Sequence, residues 1–180
     1  MPETKIAALK KEEILSLIKL SAFVLMATVA PMFRFQEITG PIVNTILYLS
    51  VIFIGFPGAL FVAFFPSAVS LATGHLPFSM IPMIPFIMIG NLVLMMSFNQ
   101  FKKNYWTGVL IASFLKFIFL FISGQLIFTL IDKKLLILAS GMMGWMQFFT
   151  ALAGGLIAYM VLRFVNRNPW PKGQGSSRTA

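Results

Sequence analysis

The chain has 180 residues, 58% of them hydrophobic and only 11% charged, with 14 Lys and Arg against 5 Asp and Glu for a formal net charge of +9. Soluble domains are about half apolar and about a quarter charged, so this composition indicates an integral membrane protein of one compact bundle. The absence of cysteine excludes disulfides, thiolate metal sites and cysteine nucleophiles, and the single histidine, His75, excludes a multi-histidine metal centre.

The basic balance does not indicate nucleic acid. Lys5, Lys10, Lys11, Arg163, Arg167, Lys172 and Arg178 flank apolar segments, and no basic face is interleaved with aromatics. Their placement suits a topology signal with attraction to anionic lipid in the bilayer.

Residues 1–15 form an amphipathic lead-in, with apolar residues at helical spacing from Ile6 and with Lys10, Lys11, Glu12 and Glu13 on the wet side. A cleavable signal peptide is not indicated, because the polar stretch "PETKIAALKKEE" precedes the apolar core and no A-x-A-like site follows before Arg34. Residues 16–164 form the membrane domain, and 165–180 a polar tail. Hydropathy broken at Pro, Gly and charges predicts six spans, at 16–32, 41–56, 58–73, 79–97, 105–131 and 135–164. The weakest break is "GFPGAL", where a proline between glycines must turn the chain sharply if spans two and three are separate; otherwise there are five spans.

After span one, "PMFRFQEITGP" brackets Arg34 and Glu37 with aromatics and prolines, so these form either a lid of fixed shape or a solvated surface pair of little energetic worth. In span three, Ala59, Ala63 and Ser67 recur every fourth residue, a small-residue face that lets another helix approach closely. His75, in "ATGHLP", reads either as a loop histidine, the commoner case, or as a ligand contact. Span four opens "SMIPMIPFIMIGN", where Pro82 and Pro85 are expected to free carbonyls inside a helix. Asn91 shares a stripe with Met88 and Met95 and, if buried, needs a partner from another helix or a ligand.

Span five carries Lys116 about ten residues from either end, where a charge costs about 2.5–3.5 kcal/mol on insertion scales. Ser113, Leu120 and Ser123 share its helical face, while Phe117, Phe119 and Phe121 point elsewhere, so the polar stripe is expected to look inward. Two readings stand for the lysine: a structural residue reaching a backbone carbonyl, or a group that binds an anionic or carbonyl ligand. Span six places Ser140, Met143, Gly144, Gln147, Thr150, Ala151, Gly154 and Ala158 on one small and polar face. Close helix packing with Gln147 as an interhelical donor explains it, and so does a ligand contact through Gln147.

With six spans, the N-terminus, the Pro57 turn, "NQFKKNYW" and the C-terminus share one face. That face holds most of the Lys and Arg, against Arg34, His75, Lys133 and Lys134 opposite, so both termini are expected in the cytoplasm. HExxH, GxSxG, P-loop and GxGxxG motifs are missing and carboxylates are few, so the chain is not expected to be an enzyme or to bind a cofactor.

The run "GPIVNTILYLSVIFIGFPGALFVAFFPSAVSLATGHLP" followed by "MIPFIMIGN" resembles the substrate-binding S components of energy-coupling factor (ECF) transporters. The resemblance is carried by Gly40–Pro41 at the entry to span two, Gly55 to Gly58 at the step into span three, and Pro77, Pro82 and Pro85 before span four. It covers Thr39 to Ser123, and the rest by architecture. It implies a multi-pass protein of a prokaryotic cell membrane that captures a vitamin-like organic micronutrient from outside. Its implied partners are a transmembrane coupling protein and two cytoplasmic ATPases, which use the ATP. The implied pocket holds Lys116, Asn91 and Gln147, with Arg34, Gln36 and Glu37 in a lid and His75 at the rim. The family's A-x-x-x-A coupling motif in span one is a departure here, because Ala22, Ala27 and Ala30 miss that spacing, so either Ala59, Ala63 and Ser67 are the partner interface instead or the partner differs. Histidine-rich outer sites of nickel or cobalt carriers are absent, Met- and Phe-rich walls suit an organic ligand, and Lys116 favours one with an acidic group. Two other classes remain open: a stand-alone secondary transporter or channel with Lys116 as its functional charge, and a purely structural membrane subunit.

Overall fold

A segment in lipid has to satisfy every backbone N–H and C=O within itself, which makes long apolar runs helical. A computed structural model describes residues 2–32, 35–74, 78–101, 104–131 and 144–165, and over these the chain is helical with only short connections. The long helices are α1 (Pro2–Val29), α2 (Gln36–Phe53), α3 (Gly55–Ala72), α4 (Ile84–Gln100), α5 (Tyr105–Ile131) and α6 (Trp145–Phe164), with 3-10 turns at Ala30–Met32 and Phe78–Met83. Five of them, all except α2, are long and apolar enough to cross a membrane. The lead-in and the first span form one continuous helix, α1. The expected start of span six at residue 135, with Lys133, Lys134, Ser140 and Met143, lies outside the described residues.

Helix α2 is the central one. Every residue from Val43 to Val51 is buried, so α2 has no side facing water or lipid along this stretch. A helix apolar all round has to be enclosed by others, and α1, α3, α4 and α6 all pack on α2. Side-chain contacts fix directions. Asn44 meets Lys116 while Tyr48 meets Ser113, so α2 and α5 run antiparallel. Thr45 reaches the Gly154 carbonyl, and a side chain at Gly40 would strike Thr150, so α2 and α6 run parallel.

The break between α2 and α3 falls at Ile54 and Gly55, before Pro57. Gly55 has φ 77°, a left-handed conformation, and only Pro57 Cδ, at 3.9 Å, lies near its absent Cβ. Pro57 follows in the first turn of α3, where a missing N–H costs nothing. Gly55→Ala should therefore cost about 1–2 kcal/mol through backbone conformation alone. Thermal unfolding of the purified protein in detergent checks this as a modest fall in Tm without loss of the folded state.

The prolines of span four do not free carbonyls inside a helix. Pro82 lies in the 3-10 turn and Pro85 in the opening turn of α4, where the N–H groups have no intrahelical partner in any case. The prolines inside helices are Pro41 in α2 and Pro66 in α3. Ala59, Ala63 and Ser67 are buried within the chain, where α3 packs on α1, α2 and α4. Small side chains permit that approach, and the stripe lies inside the chain.

Candidate functional site

The α5 stripe faces inward as its spacing predicts: Ser113, Lys116, Leu120 and Ser123 are buried, and Lys116 is only 3% exposed. Phe114 and Phe121 point outward, but Phe117 does not. It is buried and stacks on Trp145 at 4.9 Å, with Phe148 at 6.2 Å, because α6 lies over that side of α5.

Lys116 Nζ donates to Asn44 Oδ1 at 2.7 Å and to Asn91 Oδ1 at 2.8 Å. Asn91 Nδ2 in turn donates to the Ala63 carbonyl at 3.1 Å. One cation thus joins α5 to α2 and α4, and through Asn91 to α3. Both acceptors are neutral amides, and both asparagines are 1% exposed. The carboxylates of Glu12, Glu13 and Glu37 are exposed, away from this node. Among the described residues, no group of three or more His, Cys, Asp and Glu is placed to hold a metal ion.

The sequence singled out Lys116 and Asn91, and the structure brings them together. It did not single out Asn44, the third member. The available signal was an amide in the middle of an apolar run, which in lipid requires a partner. Gln147 is buried on α6, and its backbone carbonyl accepts from the Thr150 hydroxyl at 3.2 Å, while Lys116 and Asn91 bond to Asn44, to the Ala63 carbonyl and to each other. Of the expected lid residues, Gln36 begins α2 and Glu37 is exposed in its first turn. Arg34 and His75 lie outside the described residues.

Further polar contacts lie along the interior. Tyr48 Oη is 3.1 Å from Ser113 Oγ, joining α2 to α5. The Tyr105 hydroxyl donates to the Gly155 carbonyl at 2.7 Å, joining α5 to α6. The Thr45 hydroxyl lies 2.7 Å from the Pro41 carbonyl and 3.1 Å from that of Gly154. These bonds satisfy hydroxyls that would otherwise be stranded in an apolar core. The Lys116 node differs from them in containing an ionisable amine.

An open cleft of about 390 Å³ between α4 and α5 is lined by Val93, Met96, Ser97, Gln100, Phe101 and Leu115. None of the node residues borders it, so Lys116 is not reached from there. The chain matches no model of a known protein family, no curated protein and no solved structure.

Proposed function

We propose that this chain is a six-span membrane-embedded S component of an ECF-type importer, with both termini in the cytoplasm of a prokaryotic cell. It captures a small vitamin-like organic micronutrient from outside, and a transmembrane coupling protein with two cytoplasmic ATPases drives the uptake. The observation that carries this reading is Lys116, an ionisable group buried at the junction of apolar helices and held, among the described residues, by the neutral amides of Asn44 and Asn91. Ionisable groups inside a membrane domain mark binding or transport pathways by default, because their burial is costly. The chain itself is not an enzyme and binds no cofactor in this reading.

A second reading is favoured by the internal position of Ala59, Ala63 and Ser67, which leaves the coupling partner without its expected docking stripe. In that reading the protein is a stand-alone secondary carrier or channel with Lys116 as its functional charge. One comparison separates the two. For an S component, ATPase subunits co-purify with the chain and uptake into cells stops when ATP is depleted. For a secondary carrier, nothing co-purifies and uptake follows the ion gradient. Native mass spectrometry of the purified protein should detect a retained small molecule. Lys116→Met should lose that molecule while remaining folded, and unchanged retention would remove Lys116 from the binding site.

A further inference from the structure

An ammonium carries three N–H donors and each asparagine amide carries two. At the node, two donors of Lys116 and one of Asn91 are used, each into an amide or peptide oxygen. The remaining N–H of Lys116, the second of Asn91 and both of Asn44 have no acceptor among the described residues. The side chains that carry them are at most 3% exposed. Asn44 Nδ2 is bonded to the same carbon as the oxygen that accepts from Lys116, so the two residues carry their spare donors at one junction of α2 and α5.

The imbalance is of one kind. The node has donors and positive charge in excess, and no carboxylate of the described residues faces it. Buried donors require acceptors, and a buried charge is costly unless paired. A water molecule would accept the hydrogen bonds but would leave the charge uncompensated. We propose that Asn44 and Lys116 form a binding site for a small monoanionic group, a halide or a single carboxylate, which accepts from the Lys116 ammonium and from the Asn44 amide. A carboxylate borne by an organic ligand rests on the uptake reading above, whereas a free halide does not.

The test uses the full-length purified protein in detergent, with a bulky organosulfonate as the starting anion. Thermal unfolding is followed as chloride, bromide or acetate is added at constant ionic strength. Expected is a saturable rise in Tm, as mass action requires of an anion that binds the folded state. A response to halides identifies the free ion, and a response to acetate alone identifies a carboxylate. Asn44→Asp supplies an internal anion in place of the amide, so it should fold and lose the response; Asn91→Asp is the second variant and should do the same. Absence of any anion response in the wild type overturns the proposal and indicates a neutral amine whose two N–H groups are already used by Asn44 and Asn91. An equal response in the Asp variants also overturns it. These outcomes are independent of ATP dependence and co-purification, on which the uptake reading stands or falls.

Discussion

Gly154→Leu is expected to prevent assembly of the folded bundle, and Gly154→Ala to destabilise it severely. A Cβ at this position would lie 2.6 Å from Asn44 Cβ, 2.9 Å from the Pro41 carbonyl oxygen and 2.9 Å from the Thr45 backbone nitrogen. Two of these three are backbone atoms of α2, and a backbone cannot rotate away as the end of a flexible side chain can. Since α2 is enclosed along Val43 to Val51, it cannot shift without disturbing the helices around it. Overpacking a well-filled core costs about 1–3 kcal/mol where side chains can yield, and a backbone contact places Gly154→Ala at or above the upper end of that range. Leucine adds volume that the α2–α6 contact has no room for. The Thr45 hydroxyl contact to the Gly154 carbonyl would also be lost if the helices separated. Size-exclusion profiles and thermal unfolding in detergent check both variants. A Gly154→Leu chain that elutes and melts like the wild type would contradict the close approach.

The second large effect is at the lysine node, where the order of the variants is informative. Asn91→Leu removes one of the two acceptors of Lys116 and leaves the cation with Asn44 alone. Stripping a partner from a buried charge costs about 3–5 kcal/mol. Lys116→Met removes the charge itself and leaves two amide oxygens without a donor, at about 1–3 kcal/mol each, offset in part because no ammonium has to be buried. Asn91→Leu should therefore be the less stable of the two. The triple variant Lys116→Met, Asn44→Leu, Asn91→Leu replaces the whole polar group by apolar side chains of similar size. It should recover most of the lost stability, as buried charged groups often do when exchanged together. Chemical unfolding in mixed micelles measures the order. Recovery of stability without recovery of ligand retention or uptake would show that the node exists for function, and recovery of both would show that it is dispensable.

Much of this bundle was legible in the chain. Hydropathy located the long helices, because continuous apolar segments have few other ways to satisfy their backbone in lipid. The inward turn of Lys116 followed from Ser113, Leu120 and Ser123 on the same helical face, since a charge cannot point into hydrocarbon at low cost. Asn91 was legible for the same reason. Asn44 was not singled out, because Thr45, Tyr48 and Ser50 share its helix and only packing shows which of them faces α5 at the level of Lys116. The prolines misled in the opposite direction: Pro82 and Pro85 have their effect set by distance from the start of α4, and that boundary is not a composition signal.

The sequence by itself determined that this is a membrane-embedded helical protein with one inward-facing cation, because burial cost and helical period are local properties. What that cation meets was decided by tertiary structure. Its partners Asn44 and Asn91 lie 72 and 25 positions away along the chain, and no local propensity relates them. Packing also decided that the small residues of α3 serve a contact within the chain and that Phe117 lies under α6 when its spacing pointed outward. Each of these depends on which helix lies against which, a relation set by the shapes of two surfaces together and not by either one alone.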